Sequence, residues 1–176
     1  TRGGGLCSFD PETEEFTWFR NVPGRDDTFR SNYLYNATVE PEGTYLIGLR
    51  GGDLERFDPQ TGTVEHLLPL PGPNEPGRPD ILKIMVDQKK AIWYGMWNGG
   101  IARIDPQTGE TRTYVHDPNN PASLSNSIIH SLFQDRSGNF LIGTDAGGID
   151  LFDPATETFR PLKINARDKS FKERIL

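Results

Sequence analysis

Apolar and polar residues alternate along the chain in short segments, and turn-forming residues separate one segment from the next. No window of about 11 residues shows the sustained spacing of apolar residues that an amphipathic helix requires. Short alternating segments bounded by Gly, Pro, Asn and Asp are typical of β-strands. Near the end of the chain the predicted strands, named A to D, cover residues 128–134, 140–144, 148–152 and 157–162.

One stretch of this pattern occurs several times along the chain. Its copies are LIGLRGGDLERFDP at 46–59, WYGMWNGGIARIDP at 93–106 and LIGTDAGGIDLFDP at 141–154, with a half copy, GGGLCSFDP, at 3–11. The Asp of each Asp-Pro pair is Asp10, Asp58, Asp105 or Asp153, so the copies are 48, 47 and 48 residues apart. A period in this range indicates a repeat protein.

Each period supplies four strands, and such a unit is too small to bury both of its faces alone. Four-stranded antiparallel units of this length are typical of β-propeller blades. We therefore predict an all-β fold, a β-propeller fragment of about three and a half four-stranded blades of about 48 residues. The partial propeller covers 1–176, with an outer half-blade at 1–20, blades at 31–70, 79–116 and 126–164, and a connector to a missing blade at 165–176.

A propeller typically closes with about four to eight blades, so this number of blades does not complete a ring. Both termini look like cuts in a longer chain. Exposed blade edges tend to pair with other strands. We therefore expect the remaining blades of the propeller, or another copy of the chain, as a partner.

The composition excludes several classes of protein. The chain has 19 basic and 25 acidic residues and a net charge of −6, so it lacks the basic patch of a nucleic-acid-binding protein. Cys7 is the only cysteine, which excludes an internal disulfide and a metal site with several thiolates. There is no apolar run of about 18 residues, so we expect no membrane contact in this segment.

The turns between predicted strands follow two patterns. The C–D turns read Asp-Pro-x-Thr-Gly, in which Gly62 and Gly109 supply a left-handed residue. Glu14 and Glu157 replace that Gly in the first and last copies, so we expect those two turns to differ in detail. The A–B segment 135–139 has the spacing of the first ligands of a calcium loop, but it lacks the downstream Glu and fits a hairpin turn better.

The turns, the glycine pairs and one connector together resemble the repeat of the two-component regulator propellers, which form the periplasmic sensor region of bacterial hybrid histidine kinases. Some positions depart from that repeat: Leu46 and Leu141 replace Trp, Leu49 and Met96 replace Thr, and Asp53 replaces the second Gly. The Asp-Pro-x-Asn-Pro-x-Ser-Leu connector occurs once, and the connectors at 21–31 and 70–80 diverge from it. The matching pieces are Gly95, Gly99–Ile101, Ile104–Gly109, Asp117–Leu124, Asp135–Gly138 and Leu141–Thr144.

The resemblance implies a non-catalytic, ligand-sensing fragment of the extracytoplasmic sensor domain of a two-component kinase, located in the periplasm and recognising an oligosaccharide or a similar small solute. Any kinase activity would lie in a region absent from this chain. Two alternatives remain open: a lyase-like propeller of the streptogramin B lyase type and a protein-interaction scaffold. We expect no cofactor and no metal site.

Strand direction places the B–C loops and the D–A connectors at one end of each blade, and the A–B and C–D turns at the other. Residues that vary from blade to blade on a rigid scaffold are candidates for binding. An indole can stack on a sugar, a guanidinium can bind an acid group, and amide or carboxylate groups can bind hydroxyls. The candidate ligand-binding residues of the B–C loops are Trp97, Arg50, Asn98, Asp145 and Met96.

Histidines offer the main route to an enzymatic function. Of His66, His116 and His130, only His130 is predicted on an inner strand, where it could face a central channel. Tyr35 and Leu82 occupy the equivalent positions of the other blades, so no acidic or His partner recurs there, and a structural role is favoured. Asn36 begins a glycosylation sequence, but it lies on a predicted inner strand and is interpreted as a chance match.

Overall fold

The computed structural model describes residues 3–69 and 77–162, and within these ranges the regular structure consists of β-strands. They form one two-stranded and three four-stranded sheets, each antiparallel and each in chain order. This confirms the predicted all-β fold of three four-stranded blades and a half-blade. The strands are β1 (Leu6–Asp10), β2 (Glu15–Phe19), β3 (Leu34–Val39), β4 (Tyr45–Leu49), β5 (Leu54–Phe57), β6 (Val64–His66), β7 (Ile81–Val86), β8 (Ile92–Met96), β9 (Ile101–Ile104), β10 (Thr111–Tyr114), β11 (Ile129–Gln134), β12 (Phe140–Thr144), β13 (Gly148–Asp153) and β14 (Thr158–Pro161).

The predicted strands agree with the structure to within a residue or two at each end. In the last period the prediction was one residue too long at the start of β11 and at each end of β14, and one residue too short at the end of β13. We call β3–β6, β7–β10 and β11–β14 the first, second and third blade. The predicted connector at 165–176, and residues 70–76 of another, lie outside the described residues.

The chain divides into two compact units, residues 1–84 and 85–176, and the division falls within β7. The core of the first unit includes Phe29, Ile47, Leu49, Phe57 and Val64. In the second unit the core surrounds Trp93, whose side chain is almost completely buried. No helix in the described ranges has the length and apolar character needed to cross a membrane.

A glycine in strand B lets the first strand of the next blade approach closely. A Cβ atom on Gly48 would lie 2.6 Å from Cγ2 of Ile81, and one on Gly95 would lie 2.4 Å from Cγ2 of Ile129. Both isoleucines are fully buried. Side-chain carbons do not approach so closely, so neighbouring strands can pack at this distance only if strand B carries no side chain there.

The C–D turns share one backbone conformation in all four copies. Asp10 accepts a hydrogen bond from the backbone N–H of Glu12 at 2.9 Å, and this bond holds the pKa of Asp10 below its usual value. Asp58, Asp105 and Asp153 accept equivalent bonds, with the same effect on their pKa values.

The prediction that the first and last C–D turns differ in detail was wrong. Glu14 and Glu157 adopt left-handed φ angles of 57° and 54°, close to the 72° and 71° of Gly62 and Gly109. A non-glycine residue is disfavoured there, but the turn imposes the conformation through its backbone and aspartate hydrogen bonds.

The segment 135–139 is a hairpin turn, as predicted. Asn139 donates its backbone N–H to Oδ1 of Asp135 at 2.8 Å, and Gly138 donates its backbone N–H to the Asp135 carbonyl at 3.0 Å. The side chain of Asn36 is also used within the fold, because its Oδ1 accepts the backbone N–H of Ile84 at 3.1 Å.

The D–A connectors of the half-blade and the second blade have the same hydrogen bonds although their sequences diverge. Val22 donates its N–H to the hydroxyl of Thr28 at 3.1 Å, and Asp117 donates its N–H to the hydroxyl of Ser123 at 2.9 Å. A hydroxyl residue at this position is therefore sufficient to close either loop.

The residue after that hydroxyl anchors each connector in a core. Phe29 and Leu124 are both 1% exposed. Asn21 donates its side-chain N–H to the Phe29 carbonyl at 2.5 Å, and Nδ1 of His116 lies 2.6 Å from the Leu124 carbonyl. Because a carbonyl only accepts hydrogen bonds, His116 carries its proton on Nδ1 and has a structural role.

A buried carboxylate lies beneath each of these two connectors. Asp150 is fully buried and accepts hydrogen bonds from the N–H and the hydroxyl of Ser125, at 2.8 and 2.6 Å. In the first blade the equivalent carboxylate, Glu55, is also fully buried and accepts the N–H of Arg30 at 3.0 Å. Burial raises the pKa of Glu55 to about 7, and nearby Asp53 adds to this effect while the Arg30 N–H opposes it.

Replacing Gly95 with Ala should lower the free energy of unfolding by about 2 kcal/mol, because the new methyl group would overlap with buried Ile129. Urea unfolding followed by tryptophan fluorescence measures the change. Gly77→Ala is the matched control, since a Cβ atom there meets no other atom within 4 Å, and it should change stability by less than about 0.5 kcal/mol. Equal effects of the two substitutions would contradict the close approach at Gly95.

Replacing Glu55 with Gln should change how stability depends on pH. The folded protein keeps a proton on Glu55 up to about pH 7, whereas the unfolded chain releases it near the ordinary value of 4.5. The free energy of unfolding of the wild type should therefore fall by about 2 to 3 kcal/mol as pH rises from 4.5 to 7, and level off above that. The Gln variant should lack this component of the slope.

Asp58→Asn is the control for that experiment. The turn keeps the pKa of Asp58 below its usual value, so this carboxylate stays ionised throughout the same pH range. The control should keep the wild-type slope even if the variant is less stable at every pH. Identical slopes for the wild type and the Glu55→Gln variant would show that Glu55 does not titrate in this range.

Candidate functional site

The candidate site residues lie where strand B ends and the chain turns into strand C. These B–C loops follow β4, β8 and β12, and they lie at the same end of each blade as the D–A connectors. We call this the variable end of a blade. The opposite end carries the A–B and C–D turns, and we call it the turn end.

Trp97 is the most prominent residue of the second-blade loop. Its side chain is 51% exposed, whereas the large apolar residues in the strands of this blade are buried or half-buried. Asn98 follows with a left-handed φ of 59°, a conformation that asparagine tolerates better than most residues. Met96 is only 7% exposed, so it supports the loop from below and presents little surface to a ligand.

The third-blade loop contains a pair that sequence reasoning missed. Nε2 of His130 lies 3.1 Å from Oδ1 of Asp145, and both side chains are about half exposed. The backbone N–H of Asp145 also donates to the carbonyl of Ile128 at 3.0 Å, which ties the loop to the residue just before β11. The imidazole and carboxylate therefore form a preformed polar pair at the variable end.

A β-bulge explains why this pair is difficult to detect from sequence. The pairing of β11 with β12 shifts register between Ile129 and Ser131, which leaves His130 as the extra residue. A bulge turns its extra side chain away from the regular alternation. The repeat places Tyr35 and Leu82 at the positions equivalent to His130, whereas the acidic partner of His130 comes from the neighbouring loop.

The first-blade loop, in the other unit, places a cation against an aromatic ring. The guanidinium carbon of Arg50 lies 5.2 Å from the centre of the Tyr33 ring, and the Arg50 N–H donates to the Tyr33 carbonyl at 2.9 Å. Tyr33 and Tyr35 are 40% and 39% exposed. Arg50 is therefore held by a cation–π contact and is not a freely solvated charge.

The three loops have similar backbone conformations but carry different side chains. Gly51, Asn98 and Ala146 occupy the same position and all have left-handed φ angles, of 88°, 59° and 54°. The preceding residue is Arg50, Trp97 or Asp145. One loop conformation thus presents a cation, an indole and a carboxylate in different blades, and side chains that vary on a shared backbone are candidates for binding.

A cleft of about 420 Å³ lies at the turn end of the second unit. Several of its polar groups bond to one another: the Tyr114 hydroxyl donates to Glu157 at 3.2 Å, and the Gln88 backbone N–H donates to the Gln134 side chain at 2.8 Å. Burial, and secondarily the charge of Glu157, raise the pKa of the Tyr114 hydroxyl. These contacts support the interpretation of the turn end as structural.

The described part of the chain contains no cluster of three or more His, Cys, Asp or Glu side chains that could hold a metal ion. His66, the third histidine, bonds through Nδ1 to Oε1 of Glu55 at 2.8 Å. It lies in the first unit and is not part of the His130 pair.

Comparison with known proteins gives one match to a protein family. Residues 123–146 match the family model of the two component regulator propeller. This segment runs from the end of the Asp117–Leu124 connector through β11 and β12 to the third B–C loop. No curated protein matches the chain.

Several solved structures share the fold. The extracellular domain of BT3049 from B. thetaiotaomicron, described as a hybrid two component system, aligns with a TM-score of 0.74 and 20% identity over 90% of this chain and 20% of that one. The extracellular domain of BT4673 from the same organism, described likewise, aligns with a TM-score of 0.68 and 22% identity over 99% of this chain and 21% of that one.

A structure of an enzyme also shares the fold. Virginiamycin B lyase from Staphylococcus aureus, solved as a catalytically inactive His-to-Ala variant with quinupristin, aligns with a TM-score of 0.58 and 17% identity over 83% of this chain and 44% of that one. This chain spans about a fifth of the length of the two extracellular domains. The chain therefore has the fold of a β-propeller segment, and its residues 123–146 match the two component regulator propeller model.

Proposed function

We propose that the chain is a non-catalytic, ligand-sensing part of the extracytoplasmic sensor domain of a two-component signalling kinase, and that it acts in the periplasm. The regulator propeller repeat at residues 123–146, and the fold shared with extracellular domains of two component systems, support this class. Within the structure, the observation that carries the proposal is the exposed indole of Trp97 on a loop of fixed conformation.

The ligand class follows from the groups around the loops of the second unit. An exposed indole can stack on the apolar face of a pyranose ring. Asn98 supplies an amide and Asp145 a carboxylate, and both groups bind hydroxyls well. We infer that an oligosaccharide or a similar hydroxyl-rich solute binds at the variable end of the second unit. Separately, we infer that Arg50 gives the loop of the first unit a preference for acidic groups.

Binding alone does not transmit a signal. A ligand shifts a protein between two states only to the extent that it binds one of them more tightly. Backbone hydrogen bonds tie Asp145 and Arg50 to the residues that immediately precede strand A of their own blades. We propose that ligand binding acts by changing how blades or subunits are arranged, with little change within a loop.

We also propose that the half-blade is covered by the remaining blades of the propeller or by another copy of the chain. Its two strands expose three large aromatic side chains, Phe9, Phe16 and Trp18. Exposed aromatic surface next to a strand edge favours pairing with further strands.

Replacing Trp97 with Ala should weaken oligosaccharide binding about five- to thirtyfold, because an aromatic stacking contact that binding buries contributes on the order of 1 to 2 kcal/mol. Isothermal titration with panels of neutral and acidic oligosaccharides measures the affinity. Trp18→Ala is the matched control, since this indole is also about half exposed but lies in the half-blade. Unchanged affinity in the Trp97 variant would remove Trp97 from the site.

A second candidate function is a lyase, which the His130–Asp145 pair favours. A carboxylate that holds an imidazole can orient it as a general base for proton abstraction. If the chain has such an activity, with or without an added divalent metal ion, His130→Ala should reduce the rate at least a hundredfold, and His116→Ala, which alters a structural histidine, should not. Turnover that survives in the His130 variant would rule out this assignment.

A further inference from the structure

A second cavity lies at the variable end of the first unit, away from the loop tips. It has a volume of about 310 Å³ and opens between the connector of the half-blade and the first blade. Residues 21–26 and 28–30 of the connector form one wall, and Asp53 and His66 form the other. The volume lies in the range of small-ligand pockets and accommodates one sugar ring.

The residues that line this cavity differ from those at the equivalent positions of the third blade. Strand pairing sets Glu55 opposite His66 in the first blade and Asp150 opposite Pro161 in the third. Four positions change together between the two blades. Where the third blade has Ser125, Gly148, Asp150 and Pro161, the first blade has Arg30, Asp53, Glu55 and His66, respectively.

The four residues of the first blade form one connected network. Arg30 pairs with Asp53 at 3.2 Å and donates to the Leu68 carbonyl at 2.8 Å. Nδ1 of His66 bonds to Oε1 of Glu55 at 2.8 Å. The side chains of Arg30, Asp53 and His66 are 21%, 14% and 15% exposed, so each is mostly buried yet reaches the cavity.

This network is more than the fold requires. At the third blade, the equivalent connector is held by a serine and an aspartate alone, because Ser125 donates two hydrogen bonds to Asp150. In the first blade, Oε2 of Glu55 is buried and has no hydrogen-bond partner in the described structure. Buried ionisable groups are often less stabilising than a simpler packing, so a stability role does not explain the replacements.

The chemistry of the network selects the ligand. Arg30 and Asp53 neutralise each other, so the wall attracts neither anions nor cations strongly. The guanidinium and the imidazole can donate hydrogen bonds, and the Asp53 carboxylate can accept them. Neighbouring hydroxyl groups, which both donate and accept, match such a wall.

We propose that the cavity between the connector 21–30 and residues Asp53 and His66 binds a neutral sugar ring through its vicinal hydroxyl groups. This inference rests on the proposed sensing function for its biological meaning. The cavity would be a second sugar-binding site, separate from the loop tips. Arg30 and Asp53 contact hydroxyls directly, whereas Glu55 positions His66.

The three histidines of the chain allow a direct test, because each reports on a different place. His66 lines the cavity, His130 lies at the proposed loop-tip site, and His116 is bonded to the Leu124 carbonyl within a connector. The full chain is titrated with glucose, galactose, mannose and xylose while the imidazole Cε1–H resonances are followed by NMR. His66→Gln assigns the relevant signal.

The proposal predicts that at least one sugar shifts the His66 resonance in a saturable way and leaves that of His116 unchanged. A shift confined to His130 would overturn the cavity assignment and support the proposed loop-tip site. If no sugar shifts His66, the cavity assignment also fails, and the proposed function is then decided by the Trp97 titration with oligosaccharides.

The variants use residues that the third blade already carries. Arg30→Ser combined with Asp53→Gly removes both members of the buried ion pair, so it leaves neither charge unpaired and should fold. It should weaken sugar binding at least tenfold. Arg160→Ser, which removes an exposed arginine elsewhere, should bind as the wild type does. Asp53→Gly alone supplies a second variant should the double variant not fold. Wild-type affinity in a folded variant of either kind would overturn the proposal.

Discussion

The close approach of successive blades at the strand-B glycine is the constraint on which the other features depend. Gly48 receives Ile81, and Gly95 receives Ile129, at distances that leave no room for a side chain. Because each isoleucine is the first residue of its strand A, this contact sets where the next blade begins. The contact thereby determines the distance that the D–A connector has to bridge and the position of the B–C loop that follows strand B.

The recurring hydrogen bonds of turns and connectors explain how much of the fold could be predicted from the sequence. The Asp-Pro spacing and the alternation of apolar residues were sufficient to place the strands. The conformation of Glu14 and Glu157 was not predictable from residue preference, because the turn's own bonds outweigh the preference of glutamate for negative φ. Likewise, the connector at 21–31 looks divergent, yet it keeps Thr28 and Phe29, the hydroxyl and the apolar anchor.

The candidate site was predictable only where it depends on loop position. Trp97 is exposed because it follows strand B in a loop whose conformation is common to the blades. The His130–Asp145 pair was not predictable, since a bulge reorients His130 and its partner is 15 residues away. The Arg30, Asp53, Glu55 and His66 network was also missed, because it joins a connector to two adjacent strands across 23 to 25 residues.

A repeat protein contains its own comparison for deciding which residues serve the fold. Interactions that recur, such as the turn aspartates, satisfy needs that all blades share. Interactions that differ between blades at equivalent positions answer to something else, particularly when they bury charge. Asp150 satisfies its connector completely with two hydrogen bonds, whereas Glu55 at the same place retains an unpartnered buried oxygen. An unsatisfied buried acceptor costs about 1 to 3 kcal/mol. Stability alone would therefore favour the Asp150 arrangement in both blades. Because the Glu55 arrangement instead lies beside a cavity, it indicates that the first blade has a specialised role which the third blade does not share.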